Sequence, residues 1–208
     1  MTKPLILVGG GGHCKSVIDI AECAAREIKG ILDLPDTVGS KCLSYEVIGT
    51  DDDIPKYASG CEFLITLGFI GDPQRRKVLS QLIRNGDGQL AILESPKAHI
   101  SAYAQVGEGT VICHNVSVNA DARIGRNCIL NTACNIEHDV VLGDNVHVST
   151  GAMLNGGVYV GSDVFIGSGA VICNGVHITD GCVIGAGCVV TKDIEQQGTY
   201  VGVPARKV

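Results

Sequence analysis

Hydrophobic positions recur every six residues over the second half of the chain. Ile, Leu or Val stands at each of sixteen successive anchor positions from Ile100 to Val190. The position four residues after each anchor is also restricted, to Ala, Val, Ile, Thr or Cys. Two inward positions in each six-residue segment are typical of a parallel β-helix, in which three segments complete one coil. The pattern predicts about five coils in a domain that covers residues 96–208.

The first part of the chain has a different rhythm. The apolar run Leu5–Val8 predicts a buried strand, four glycines follow it, and a helical pattern then extends to Ile28. Gly30 is expected to end that helix, and Ile31 to begin a second strand. A strand, a glycine loop, a helix and a strand in succession indicate a parallel sheet. We therefore predict an α/β domain over residues 1–95.

Three further elements are expected in this domain. Phe63–Leu67 and Leu90–Leu93 predict two more strands. Between them, Asp72 is expected to cap a helix that has Pro73 at its first position. The apolar residues predicted to form the buried face of this helix are Val78, Leu79, Leu82 and Ile83.

Composition narrows the class of protein. The chain has 208 residues and a formal net charge of -6, so we expect no nucleic-acid partner. Its longest apolar run, Leu5–Val8, is too short to cross a bilayer, and the first residues lack the apolar segment of a signal peptide. We therefore expect a cytoplasmic protein that does not insert into membranes.

Ten cysteines raise the question of disulfides or a metal site. No two of them have the Cys-x-x-Cys spacing, and several occupy the inward small position of the repeat, where Cys acts as a small hydrophobe. We predict that these are core residues and that the protein requires no metal. The repeat cysteines concerned are Cys128, Cys134, Cys182 and Cys188.

The repeat also predicts which side chains point outward. One outward column is apolar apart from a single histidine, and an exposed apolar column of that height would mark an interface. Closed threefold symmetry would bury it, so we predict a homotrimer with His147 in or beside the subunit interface. The column consists of Val111, Ile129, His147, Phe165 and Val183.

His138 is the histidine whose surroundings favour a catalytic role. In its column, which continues to Asn174, the residues directly above and below it are the small Ala120 and Gly156, which would leave space for a substrate. The adjacent Asp139 could fix the tautomer of the imidazole and raise its basicity. His114 and His177 lack this combination and are interpreted as structural, and no role is assigned to His99, which lies at the domain junction.

Four features together resemble the sugar O-/N-acyltransferase family of NeuD and PglD type. They are the hexapeptide repeat, the glycine-rich loop ending in His13, the Ile136–Asp139 stretch and the terminal Gly202–Ala205 segment. The resemblance implies a Rossmann-like N-terminal domain and a left-handed β-helix. It also implies a homotrimer that binds acetyl-CoA as co-substrate between neighbouring β-helices, without a metal.

The resemblance assigns roles to individual residues. His138 matches the general base, Asp139 the acid that raises its basicity, and His147 a contact to the acetyl-CoA thioester. The positions matching the pantetheine track and the adenine end of CoA are Gly167, Ser168, Ala186, Gly187, Pro204 and Arg206. The positions matching the nucleotide-sugar site are Gly11, Gly12, His13, Asp33 and Gly68.

Several acceptors remain open at this point. Asp139 and His147 favour acetyl-CoA-dependent N-acetylation of a UDP- or GDP-linked 4-amino-4,6-dideoxy sugar. Leu34 and Phe69 depart from the family's usual residues, which leaves the acceptor open. O-acetylation of sialic acid is the alternative, because the Lys15–Asp19 and Met153–Gly156 stretches are similar to the sialate branch. A serine O-acetyltransferase would have an all-helical N-terminal domain, and a non-catalytic β-helix scaffold would lack the His–acid pair. Cys14 stands at the third glycine position of a dinucleotide fingerprint, which argues against hydride transfer.

Overall fold

The computed structural model describes residues 2–208. The helices are α1 (Gly12–Cys23), α2 (Ile54–Tyr57) and α3 (Gln74–Asn85), with short 3-10 turns at Pro35–Thr37 and Asp51–Asp53. The first strands are β1 (Leu5–Val8), β2 (Ile28–Leu32), β3 (Lys41–Cys42), β4 (Tyr45–Gly49), β5 (Glu62–Ile65) and β6 (Gln89–Leu90). No helix in the described part of the chain is long and apolar enough to cross a membrane.

The remaining strands are almost all two residues long. They are β7 (Leu93–Glu94), β8 (His99–Ile100), β9 (Gln105–Val106), β10 (Val111–Ile112), β11 (Ser117–Val118), β12 (Arg123–Ile124), β13 (Ile129–Leu130), β14 (Asn135–Ile136), β15 (Val141–Leu142), β16 (His147–Val148), β17 (Met153–Leu154), β18 (Tyr159–Val160), β19 (Phe165–Ile166), β20 (Val171–Ile172), β21 (His177–Ile178), β22 (Val183–Ile184), β23 (Val189–Val190), β24 (Thr199–Val201) and β25 (Arg206–Lys207).

The N-terminal domain is an α/β unit, as predicted. Its sheet has the order β3-β4-β2-β1-β5-β6, and all neighbours are parallel except β3 and β4. β1 lies near the centre of the sheet, and its four residues are buried. The carboxyl ends of β1, β2 and β5 therefore lie at one edge, where ligands bind in open parallel sheets.

The predicted end of the first helix is wrong. Helix α1 ends at Cys23, and Ala25 has a left-handed backbone with φ of 51°. Ile28 begins β2 opposite Leu5, and Gly30 lies within that strand. A Cβ at Gly30 would lie 2.5 Å from the Ile48 side chain, so the glycine permits close packing and does not end a helix.

Helix α3 lies where the sequence predicts it, but its buried face differs from the predicted one. The helix begins at Gln74, whose N–H donates to the Asp72 carboxylate at 2.8 Å, so Pro73 stands just before the first turn. Leu79 and Ile83 are buried, whereas Val78 and Leu82 are exposed. The remaining buried positions belong to Arg76 and Ser80, which contact the second domain.

The second domain is the predicted left-handed parallel β-helix. Its three faces are the sheets that contain β10, β11 and β12, and strands in a sheet pair with strands one coil later, as Val111 does with Ile129. Every anchor from Ile112 to Val190 is buried. Cys128, Cys134, Cys182 and Cys188 are free and buried, which confirms their assignment to the core.

Two predicted segments differ from the structure. The apolar run Leu90–Leu93 is divided, because β6 pairs with β5 in the first sheet while β7 pairs with β10 as a rung of the β-helix. Loss of the six-residue phase after Val190 predicts an irregular tail. Instead β24 pairs with β22, and β25 pairs antiparallel with β24, so the tail closes the end of one face.

The apolar outward column is covered by the chain's own N-terminal domain. Val111 and Ile129 are fully buried, and His147 is 7% exposed. Phe69 packs against Ile129 and Phe165. The prediction that this column is free to bind neighbouring chains is therefore wrong. The apolar side chains of this column form part of the contact between the two domains.

Candidate active site

His138 and Asp139 lie on a corner of the β-helix that we call the second corner, the turns that follow β11, β14, β17 and β20. Asp139 has a φ of 61°, and its carboxylate lies 2.7 Å from Nδ1 of His138. Both side chains are 63% exposed. The carboxylate accepts a hydrogen bond from Nδ1–H, which leaves the Nε2 lone pair free. This hydrogen bond raises the pKa of His138 above its ordinary value.

The glycine beside His138 has a different role from the one predicted. A Cβ on Gly156 would lie 2.6 Å from both Cε1 and Nε2 of His138. The imidazole itself therefore occupies the space that the glycine leaves. Gly156 therefore leaves room for the ring of His138, whose side chain remains exposed to solvent.

His147 lies at the junction of the two domains. Its Nδ1 is 2.9 Å from the backbone carbonyl oxygen of Phe69 and donates to it, and its ring stands between the rings of Phe69 and Phe165. Nε2 faces the side-chain amide of Asn131 at 3.4 Å. Burial lowers the pKa of His147 from 6.5 to about 4, so the imidazole is neutral at pH 7.

Arg76 is a buried residue of this junction that the sequence interpretation missed. It is 1% exposed, and its guanidinium donates to the backbone oxygens of Ile65, Leu67 and Asn127 at 3.0, 2.6 and 2.9 Å. None of these three partners is a carboxylate. Burial lowers the pKa of Arg76 to about 10. Arg76, Leu79 and Ile83 have the spacing of one helical face, which is the signal that could have identified it.

His13 follows the glycine loop in the first turn of α1 and approaches the same junction. A Cβ built on Gly68 would lie 3.8 Å from the Cβ of His13. Desolvation, with the nearby Arg76 and His147, lowers the pKa of His13 to about 4. Its Nε2 is buried and has no hydrogen-bond partner within the described chain. A bound polar ligand or water would satisfy this atom.

A small cavity lies at the carboxyl edge of the first sheet. It measures about 150 Å³ and is lined by side chains that include Asp33, Leu34, Asp51 and Arg75. The Asp33 carboxylate accepts the N–H of Gly10 at 2.9 Å, which fixes it beside the glycine loop. Gly11 and Gly12 are exposed at the start of α1, where backbone N–H groups favour anions.

The residues assigned to CoA lie on another corner, the first corner, formed by the turns that follow β10, β13, β16, β19 and β22. Ser168, Ala186 and Gly187 are exposed there, while Gly167 is buried against the next coil. The hydroxyl of Ser168 lies 2.9 Å from that of Ser149. These small residues leave a smooth edge that suits a thin, amide-bearing chain.

The C-terminal tail forms a second cavity at the end of the β-helix. It measures about 270 Å³ and is lined by residues that include Lys192, Tyr200, Pro204 and Arg206. Arg206 is exposed, and its guanidinium donates to the carbonyl of Ala205 at 2.8 Å. Two cations beside this cavity could attract a phosphate group.

The structure therefore brings some of the predicted residues together and separates others. His13, Gly68 and His147 converge at the domain junction, next to the first corner. His138 and Asp139 lie on the second corner, one face of the coil away. Because a face contains six residues of at most about 3.3 Å each, the two corners are up to about 20 Å apart.

Comparison with known proteins identifies relatives of the whole fold. The family model described as "PglD N-terminal domain" matches residues 4–83. The family model described as "Bacterial transferase hexapeptide (six repeats)" matches residues 157–192. A variant of perosamine N-acetyltransferase from Caulobacter crescentus, solved with CoA and GDP-perosamine, is similar at 31% identity with a TM-score of 0.92. The alignment covers 99% of this chain and 96% of that one.

Two other relatives extend the comparison. The acetyltransferase domain of PglB from Neisseria gonorrhoeae, solved with acetyl coenzyme A, is 28% identical over 100% of both chains, with a TM-score of 0.92. An uncharacterised protein of Acanthamoeba polyphaga mimivirus is 37% identical over 106 residues. That match covers 51% of this chain and 20% of the viral protein.

The fold and the site define a hexapeptide-repeat acyltransferase with an added α/β domain. The chain belongs to the sugar acyltransferase family of NeuD and PglD type, and its structural relatives are acetyltransferases that bind acetyl-CoA or CoA. The all-helical N-terminal domain expected of a serine O-acetyltransferase is absent from the described residues, so that alternative is wrong.

Proposed function

We propose that this protein transfers the acetyl group of acetyl-CoA to the amine of a nucleotide-linked amino sugar, with His138 as general base. The observation that carries the proposal is the exposed His138–Asp139 pair, whose Nε2 is free. A relative that shares nearly the whole fold was solved with GDP-perosamine, a nucleotide-linked amino sugar, and with CoA. This favours an amine acceptor over the hydroxyl of sialic acid.

The chemistry needs one proton acceptor and no covalent intermediate on the protein. The neutral amine attacks the thioester carbonyl carbon, the C–N bond forms, the C–S bond breaks and CoA leaves as a thiolate. Nε2 of His138 takes the proton from the attacking nitrogen and returns it to the sulfur. Asp139 stabilises the imidazolium that exists between these two steps.

The separation of the two corners supports a site shared between chains. A thioester held along Gly167, Ser168 and Ala186 would lie one face away from His138 of the same chain. In a homotrimer, the second corner of one chain can face the first corner of its neighbour. The trimer prediction therefore rests on the division of the site, since the apolar column that first motivated it is covered within the chain.

The shared site can be tested by complementation between two inactive variants. His138→Ala removes the base, and Ala186→Trp blocks the proposed pantetheine track on the first corner. Equal co-expression of the two should leave about a quarter of the sites intact, since each site needs an unmodified His138 from one chain and an unmodified Ala186 from its neighbour. Activity well above both parents supports the shared site, whereas a mixture as inactive as the parents contradicts it.

The α/β domain is proposed to bind the nucleotide. Exposed amides of Gly11 and Gly12 at the start of α1 suit a diphosphate, and the cavity beside Asp33 suits the base or ribose. The unpartnered Nε2 of His13 points to a polar group of the nucleotide-linked sugar at the domain junction. Gly68 leaves room beside the His13 side chain.

The acceptor is tested by measuring release of free thiol from acetyl-CoA. The panel contains UDP- and GDP-linked 4-amino-4,6-dideoxy sugars, sialic acid, and a hydroxyl analogue of each amino sugar. We expect turnover with an amino sugar, with product mass increased by one acetyl group, and none with its hydroxyl analogue. Turnover with sialic acid alone would contradict the proposal and favour O-acetylation.

A further inference from the structure

Three side chains of different donor types meet where α1 touches the β-helix. Asp19 and Cys23 lie one turn apart on α1, so they project from the same face of the helix. His114 comes from the first corner of the β-helix. One oxygen of Asp19, the sulfur of Cys23 and one ring nitrogen of His114 all lie within 4.8 Å of one another.

The imidazole of His114 is held in place from its other side. Its Nδ1 lies 2.5 Å from the hydroxyl of Ser95, which also accepts the N–H of Lys97 at 3.0 Å. Nε2 is thereby directed at the helix, 2.7 Å from the Asp19 carboxylate. A hydrogen bond on the second ring nitrogen is the arrangement that orients metal-binding histidines.

The Asp19–His114 pair alone does not account for the third member. An ion pair needs only the carboxylate and the imidazole, yet Cys23 is the one cysteine of the ten that is exposed, and it stands beside both. The remaining cysteines are buried or partly buried, and the repeat explains several of them as core residues. A nitrogen, an oxygen and a sulfur donor together form a donor set that Zn²⁺ accepts.

We propose that Asp19, Cys23 and His114 form a zinc site that links α1 to the first coil of the β-helix. The metal would bind the Asp19 carboxylate, the Cys23 thiolate and Nε2 of His114, with water in the fourth position, because Asp19 and Cys23 are exposed to solvent. Zn–ligand bonds of about 2.0–2.3 Å need donors slightly farther apart than the present hydrogen bond, which rotation of the two exposed side chains provides.

This site is separate from the proposed acetyl-transfer site. His114 and Ser168 belong to the same column of the first corner but are three coils apart, which is about 14 Å at about 4.8 Å per coil. Neither His138 nor Asp139 takes part. The inference therefore does not depend on the proposed function, and its test uses metal binding and unfolding temperature as readouts.

The experiment is titration of chelator-treated full-length protein with Co²⁺, whose spectrum reports sulfur ligation. We expect one equivalent to bind with a thiolate charge-transfer band, and Zn²⁺ to displace it. Cys23→Ser should abolish the band, and His114→Gln should weaken binding by at least about tenfold. The matched controls, Cys173→Ser and His99→Gln, should bind as the unmodified protein does.

Thermal unfolding gives a second readout. Saturating Zn²⁺ should raise the unfolding temperature of the unmodified protein and of both controls, because a ligand that binds only the folded state stabilises it. It should leave Cys23→Ser unchanged. The proposal would be overturned if Co²⁺ bound without a defined stoichiometry, or if the charge-transfer band and the temperature rise persisted in Cys23→Ser. Either result would leave only an Asp19–His114 ion pair.

Discussion

Two histidines nine positions apart on the same β-helix show how strongly location governs their chemistry. His138 lies on an exposed corner beside a carboxylate, and its pKa is raised. His147 lies under Phe69 at the domain junction, and its pKa falls to about 4. The exposed corner can accept a proton near neutral pH, whereas the buried junction keeps its imidazoles neutral. The difference separates a region suited to proton transfer from one suited to binding and domain contact.

The largest expected effect on stability comes from the junction. Arg76→Met should lower the free energy of unfolding by about 3–5 kcal/mol, because it leaves three backbone carbonyls without a donor in a buried site. Arg75→Met removes only an ion pair to Asp51 from an arginine that is 54% exposed and should cost less than about 1 kcal/mol. Denaturant unfolding measures the free energy of unfolding of both variants. If both variants lost the same free energy of unfolding, Arg76 would not stabilise the junction.

The junction should also make stability depend on pH. His13 and His147 have folded pKa values of about 4, below the ordinary 6.5, so the unfolded chain binds their protons more readily. Their contribution is present above about pH 6.5 and is lost as pH falls toward 4. The loss should reach up to about 3 kcal/mol for each histidine.

Histidine variants distinguish this pH dependence of stability from that of the carboxyl groups. Unfolding temperatures measured from pH 7.5 to pH 4 should fall less steeply in His147→Gln than in the unmodified protein. His177→Gln, in which an exposed histidine is changed, should keep the original slope. If His147→Gln keeps that slope too, the imidazole is not held neutral in the folded state.

The smallest expected effect concerns the corner. Asp139→Asn replaces the carboxylate whose hydrogen bond and charge raise the pKa of His138, so the basic form should appear at lower pH. The rising limb of kcat/KM against pH should therefore shift to lower pH. The plateau rate should fall by about tenfold, since a weaker base has less driving force for proton transfer. A profile with the original midpoint would mean that Asp139 does not set the basicity of His138.

The features that the sequence predicts best are those determined by the six-residue repeat. The anchors, the core cysteines and the exposed position of His138 follow from register, because each coil repeats the same backbone geometry. The repeat could place Ile129 and Phe165 outward from the β-helix core. It could not tell what covers them, because the covering Phe69 lies far away in the chain.

The N-terminal domain was harder to predict in detail. Ile28 continues the apolar spacing of α1, yet it belongs to β2, because the left-handed turn at Ala25 ends the helix first. The apolar pattern of α3 does not include Arg76, because charged side chains are almost never fully buried unless they are paired. The burial of Arg76 becomes evident only when the backbone carbonyls of β5 and of the β-helix are both in place.

Turnover of the His138→Ala variant with acetyl-CoA and an accepted nucleotide-linked amino sugar tests the central claim most directly. His177→Ala is the matched control, since the His177 side chain is 64% exposed and also lies near a carboxylate. We expect kcat to fall by about 10²–10⁴ in His138→Ala, with unfolding temperature unchanged, and to stay near that of the unmodified enzyme in His177→Ala. Near-normal turnover by His138→Ala would contradict the assignment of the base.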